Sequence, residues 1–255
     1  MLMDKIRISA VRYANTYPFI YGLKESAFSK RITLELDHPA DCAAKLISGR
    51  ADLVLIPVGA LPQLNDYRII TDYCIGANGH VKTVMLLFNC AFEEIDTIYL
   101  DYRSRTSVNL VKVLAKNLWK KNISWKNTSE GFDFLNIKCN EAVVLIGDQC
   151  FEFEKHYKNG LDLSMEWKKF TGLPFVFACW ATNRDIEDSV IVELNSALQT
   201  GVTNIDKVVK YFSDLGPIRG NILYDYLTKN IDFQLNDEKR KVINLFLSYL
   251  NNLNA

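Results

Sequence analysis

The sequence predicts an α/β protein built as two lobes around a cleft, and three observations carry that prediction. Strand-like and helix-like periodicities alternate through the first third of the chain. The same alternation restarts in the middle third with no Gly/Ser linker between. The C-terminal part then turns almost wholly helical.

Lys5 to Val11 is a β-rich run in which Ile6 and Ile8 alternate with polar neighbours. It ends in a polar loop carrying Arg12, Tyr13, Asn15 and Thr16, before Pro18 breaks the strand pattern and an apolar segment follows. Ile32, Leu34 and Leu36 alternate again. Pro39 suits a first helical turn, and Cys42 to Ile47 continues it to a stop at Gly49. Asp52 to Pro57 is too short and too β-branched for a helix and reads as a buried strand, which leaves Val58 to Ala60 at a sheet edge. The turn Gly76-Ala-Asn-Gly79 lacks the spacing of a nucleotide-binding motif and reads as a hairpin connection into Val81–Phe88.

Thr97 to Asp101 is the next strand, Arg103 to Ser107 a polar loop, and Val108, Val111, Leu114, Ala115 and Leu118 fall at helical spacing. Glu141 to Gly147 is a buried strand ending at Asp148-Gln149, and Leu173 to Trp180 is another. Helices are expected over about Glu187–Gln199, Ile205–Phe212, Asn221–Thr228 and Asp237–Leu250. The alternation argues for mostly parallel pairing. Crossings near Asn89–Glu94 and Ala178–Arg184 would give one lobe from residues 1–90 plus 181–255, and a second from 91–180. One continuous sheet is the alternative. A two-lobed chain could close on a ligand by hinge motion.

Composition excludes several function classes. Lys plus Arg and Asp plus Glu each number 30, so the net charge is zero and no basic footprint for nucleic acid exists. Six cysteines are scattered without a Cys-x-x-Cys pair, and His38, His80 and His156 have no companions at ligand spacing, which argues against a metal site. His80 adjoins the glycine turn and could reach a cleft. No stretch is long and apolar enough to span a membrane, and the start of the chain, with Asp4, lacks the apolar core of a signal peptide. The expectation is a soluble cytoplasmic protein; nothing in the sequence bears on oligomeric state.

The polar ends of several strands converge if the lobes face one another: Arg12 to Thr16, Val58 to Ala60, the turn before Val84, Arg103 to Ser107, and Gly147-Asp148. Ligands in open α/β folds bind at such strand ends. Ser104, Thr106 and Ser107 at a helix start offer hydroxyls, free amides and the positive end of a helix dipole, which favour a carboxylate or phosphate. The same residues also serve as ordinary caps.

The run Arg12-Tyr-Ala-Asn-Thr-Tyr-Pro-Phe19 resembles the Ser-Tyr-Leu-Asn-Thr-x-Pro-Phe signature of the menaquinone-biosynthesis chorismate dehydratases. Leu46 to Pro57, Asp72 to Ala77, Ser104 to Ser107, Leu145 to Asp148 and Trp167 to Trp180 continue the similarity in order. The resemblance implies a two-lobed fold like the type II periplasmic binding proteins. It also implies a cofactor-free conversion of chorismate to 3-(1-carboxyvinyloxy)benzoate and water in the futalosine route. It assigns catalytic roles to Asn15 and to Thr83, where the family usually has Ser. Arg12, Tyr13, Thr16, Ser104, Thr106, Ser107, Gly147 and Asp148 become substrate-binding candidates, and Arg12 stands where Ser is common. A non-catalytic small-carboxylate-binding protein and the related 1,4-dihydroxy-6-naphthoate synthase are the alternative functions.

Overall fold

The structure, a computed structural model, describes residues 5–254; Asp4 lies outside the described residues. Along the chain come β1 (Ile6–Val11), α1 (Tyr17–Glu25), β2 (Ile32–Asp37), α2 (Pro39–Ile47), β3 (Leu53–Pro57), β4 (Arg68–Ala77) and β5 (Val84–Phe88). They are followed by β6 (Thr97–Leu100), α3 (Thr106–Leu114), β7 (Ser124–Asn127), β8 (Glu141–Ile146), α4 (Cys150–Phe153), β9 (Asn159–Asp162), α5 (Leu163–Thr171) and β10 (Phe175–Thr182). The chain closes with α6 (Asp188–Val202), α7 (Ile205–Tyr211), α8 (Gly220–Asp225), β11 (Asp232–Gln234) and α9 (Asp237–Asn254).

Two sheets result, with strand orders β11-β4-β10-β3-β1-β2 and β7-β6-β8-β5-β9. The expected parallel pairing holds only in part. β1 pairs with β2 and β3 in parallel, but β10 runs antiparallel to both β3 and β4. In the second sheet β6 is parallel to β7 and β8, whereas β5 is antiparallel to β8 and β9. The reason is that β10 and β5 are strands entered from the opposite lobe, and they arrive in the reverse direction. Both are buried along their whole length, as a strand in a sheet interior requires.

The glycine turn is therefore not a hairpin. It carries the chain from β4 in the first sheet to β5 in the second, and the segment after α5 carries it back to β10. The crossings expected at Asn89–Glu94 and Ala178–Arg184 thus lie earlier in the sequence, before β5 and before β10. The apolar runs Val84–Phe88 and Phe175–Trp180 decide this, because each completes the sheet it enters.

Local chemistry sets the element ends. Pro39 opens α2 after an extended His38, and Gly172 closes α5 at φ +76°. The first lobe's core gathers Phe19 against Tyr73, Trp180 and Phe233, all edge-to-face. Where α5 and α9 pack against β10, Trp167 meets Phe175, Phe246 and Tyr249 in the same way. Such pairs add about 0.5–1.5 kcal/mol beyond their burial.

α1 and α6 cross in backbone contact, because both helices present glycine at the crossing. A Cβ on Gly22 would stand 1.9 Å from the Ala197 carbonyl oxygen, and one on Gly201 1.7 Å from that of Pro18. The helices must separate to admit even one methyl group. Gly201→Ala is therefore expected to cost about 2 kcal/mol or more; urea unfolding of both proteins checks this, and an unchanged midpoint would contradict the packing described.

Candidate active site

Sheet register brings the site together. β1 and β3 run in parallel, so Val11 and Pro57 end at one edge, where antiparallel β10 sets Ala178 opposite Pro57. In the second sheet β6 and β8 end in the same direction, and antiparallel β5 begins there, with Val84 opposite Ile146. The loops after β1 and β3 thus face the loops after β6 and β8 and the residues just before β5.

Between these edges lies a cavity of about 60 Å³, lined on the first lobe by Val11, Tyr13, Asn15, Pro39, Pro57, Ile75, Phe177 and Ala178. Val81, Thr83, Val84, Ser104, Thr106, Ser107, Ile146 and Gly147 complete it. That volume holds about two waters at roughly 30 Å³ each, far below the roughly 300–1,000 Å³ of typical small-molecule sites. The lobe edges touch around it and leave little space between them. A much wider groove of about 1,010 Å³ runs between Lys112, Lys116, Lys120, Lys121 and Trp125 and the end of α9. It gathers no polar groups from facing strand ends, so the small cavity is the candidate site.

Four contacts close the lobes. The Ala14 amide donates to both carboxylate oxygens of Asp148, at 3.0 and 3.1 Å. The Ala40 amide donates to the Arg103 carbonyl at 3.1 Å. The Thr106 hydroxyl donates to the Phe177 carbonyl at 2.8 Å and accepts from the Gly59 amide at 3.1 Å. Gly147 is needed at its place: its φ is +75°, and a Cβ there would lie 2.6 Å from Tyr13 Cε1. The Tyr13 ring closes over this glycine from the other lobe.

Asn15 sits in the turn after β1. Buried Thr16 donates to Asn15 Oδ1 at 3.2 Å, which turns the amide nitrogen toward other partners. Thr83 is fixed from both sides. Its carbonyl accepts from the Gly147 amide at 2.9 Å, and the preceding Lys82 adopts φ +67° while its amide donates to Asp162 Oδ2 at 2.8 Å. A left-handed non-glycine residue beside a site hydroxyl is strain that the surrounding structure must hold. The Thr83 hydroxyl lies 2.7 Å from the hydroxyl of Tyr226.

The structure brings Tyr13, Asn15, Thr83, Ser104, Thr106, Ser107 and Gly147 to one cavity. Thr16 and Asp148 stand behind its wall as supports. Ser104 is a cap, accepting from the Ser107 amide at 3.0 Å, and Thr106 ties the lobes, so of the three hydroxyls at this helix start Ser107 is the one left to meet a ligand. Arg12 is exposed, with Nη1 3.4 Å from His38 Nε2, and does not line the cavity. His80 does not reach it either; it lies 3.7 Å from the Asp162 carboxylate at the surface. Sequence reasoning missed Tyr226, Ile75 and Phe177. The last two lie inside the ordered segments Asp72–Ala77 and Trp167–Trp180, which were a usable signal; Tyr226 carries none.

Electrostatics favour neutral groups here. Burial drives the Tyr13 phenol up beyond any physiological range and Tyr226 well above its ordinary value. Burial also raises Asp148 to about 6, against the lowering effect of the Ala14 amide. Among the described residues, no group of metal-ligating side chains is arranged to hold an ion, and no helix is long and apolar enough to cross a membrane.

A family model described as menaquinone biosynthesis matches residues 6–252. The chain belongs to that menaquinone-biosynthesis family. Within known proteins it is 26% identical to a chorismate dehydratase of Thermus thermophilus, over 94% of this chain and 93% of that one. In structure it resembles a protein of Archaeoglobus fulgidus, with a TM-score of 0.77 at 16% identity over 100% and 99% of the two chains. It also resembles an alkanesulfonate-binding protein of Xanthomonas axonopodis pv. citri bound to MOPS, with a TM-score of 0.66 at 12% identity over 96% and 90%. A Candida albicans protein described as having the generic periplasmic-binding-protein fold gives 0.65 at 11% identity over 98% and 95%. The fold of this family member is thus the two-lobed periplasmic-binding-protein type.

The position of Asp148 yields a pH prediction. Its folded value of about 6 lies above the ordinary 3.8, so folding favours the protonated form. Its contribution is complete below about 3.8 and lost as pH rises through about 6. Asp148→Asn buries no charge, and its stability relative to wild type should rise from pH 4 to pH 7 by up to about 3 kcal/mol. Urea unfolding at the two pH values measures this; a constant difference would contradict it.

Proposed function

We propose that this family member is a cytoplasmic chorismate dehydratase, a cofactor-free hydro-lyase that forms 3-(1-carboxyvinyloxy)benzoate and water. The observation that carries the reading is the meeting of Asn15 and Thr83, from opposite lobes, in one cavity. The family match and the similarity to a chorismate dehydratase support it.

Elimination breaks the C3–H and C4–O bonds of chorismate; the C3–H pair completes the aromatic ring, and the C4 oxygen leaves as water. Aromatisation supplies the driving force, so the protein must mainly orient the substrate and assist the leaving group. Well-oriented groups can lower such a barrier by as much as about 7–11 kcal/mol. Among the described lining residues only Tyr13 is ionisable, and burial holds it neutral. Asp148 is turned to the Ala14 amide. The proton acceptor is therefore the substrate's own enolpyruvyl carboxylate, and the protein supplies dipoles. Asn15 donates from its amide nitrogen, and Thr83 donates to the departing C4 oxygen. The ring carboxylate meets the Ser107 hydroxyl and the first amides of α3, an anion site of the helix-terminus kind.

A lining without an ionised base also suits the second reading, a small-carboxylate-binding protein. Product formation separates the two. Asn15→Ala is expected to lower turnover of chorismate about 10²-fold, the loss typical of one transition-state donor, with an unchanged melting temperature. Near-wild-type turnover would remove Asn15 from the mechanism. Thr83→Ser keeps the hydroxyl and should retain turnover within about tenfold, whereas Thr83→Val should lose about 10²-fold or more; equal rates for the two would contradict a donor role.

A further inference from the structure

We propose that Tyr226 is a positioning residue of this site, whose buried hydroxyl donates to Thr83 in a one-way hydrogen-bond relay and directs the Thr83 proton into the cavity. The inference rests on the dehydratase reading for what that proton meets, but its geometry stands without it.

Tyr226 comes from the C-terminal helices, 143 residues beyond Thr83. It is 1% exposed, with its ring edge-on to Phe151 at 5.4 Å and 85°. A phenylalanine would fill the same volume, so the hydroxyl is what requires explanation. A buried phenol carries one proton and must place it.

The neighbours decide the direction. Among the described residues the side-chain hydrogen-bond partner of the Tyr226 hydroxyl is Thr83 Oγ1, and a buried phenol must place its one proton. Burial and the nearby Asp148 charge keep the phenol neutral, so it retains a proton. It gives that proton to Thr83 Oγ1 at 2.7 Å. The Thr83 hydroxyl is then left to donate. Its nearest protein acceptor is the Val81 carbonyl at 3.4 Å, at the long limit of a hydrogen bond, and Thr83 lines the cavity. A ligand oxygen there would receive the proton in preference. Each bond in such a chain polarises the next. In the elimination the relay donates hydrogen bonds only; the proton that completes the departing water comes from C3 through the substrate carboxylate.

A double-mutant cycle on the whole protein tests this, with Tyr226→Phe, Thr83→Val and the two combined. The readouts are kcat and KM for chorismate, chorismate Kd by calorimetry, and melting temperature. Tyr226→Phe is expected to lower kcat by about tenfold or more, with KM within about twofold. It should cause no further loss in the Thr83→Val background, because Tyr226 acts through Thr83. A packing role would instead lower stability and multiply with the Thr83→Val loss. Wild-type kcat in Tyr226→Phe, or multiplying losses, would overturn the relay. If the wild type binds chorismate without product, the dehydratase reading fails and the cycle is read on Kd; coupling there keeps the relay, and additivity overturns it. Should Tyr226→Phe not fold, Tyr226→3-fluorotyrosine strengthens the phenol as a donor without removing it. The relay then predicts a changed kcat, and an unchanged kcat would overturn it.

Discussion

The contact between the Ala14 amide and the Asp148 carboxylate joins the turn after β1 to the turn after β8, and the site exists only while those turns meet. Asn15 follows Ala14 and Gly147 precedes Asp148, so the same contact sets the Asn15 amide and the Tyr13 ring against the second lobe. A hydrogen bond to a charged group is worth about 1.5–3 kcal/mol, while burial of the carboxylate works against it and raises Asp148 to about 6. Burial is the larger of the two effects. Such a latch is weak enough to open for a ligand larger than the cavity of about 60 Å³.

The polarity of the cavity follows from its position. Strand ends and helix starts present amides and hydroxyls, and the cationic side chains nearby are otherwise engaged. Arg103 is forked onto Asp101 with both contacts under 2.9 Å, and Arg12 faces His38 at the surface. On the proposed reading, recognition of a substrate with two carboxylates falls to fixed dipoles, which are most effective where water is excluded. On that reading, contact between the lobes supplies the exclusion, so recognition and catalysis depend on the same approach of the two lobes.

Much of this was legible in the sequence, because strand-end loops are local features. The run Arg12–Phe19, the strand ending at Pro57, the Ser104–Ser107 helix start and the turn at Gly147 were each readable from periodicity and turn chemistry, and sheet register brings them together. Strand direction was not legible. Val84–Phe88 and Phe175–Trp180 are apolar runs that fit either sheet and either direction, and only the crossings settle which. Tyr226 was not legible either, since a tyrosine in a helical segment looks like core until its hydroxyl is seen 2.7 Å from Thr83. Arg12 misled for the opposite reason: a charge beside a site is conspicuous in sequence, yet its side chain lies outside the cavity.

The central claim is that this neutral cavity between the lobes dehydrates chorismate without an ionised protein base. Proton NMR of chorismate incubated with the purified wild-type protein and no added metal or cofactor tests it most directly. The account predicts that the ring and C4 signals of chorismate disappear at the rate at which aromatic signals of a meta-substituted benzoate appear, with the enolpyruvyl vinyl protons retained. Chorismate that stays intact at stoichiometric protein would contradict it.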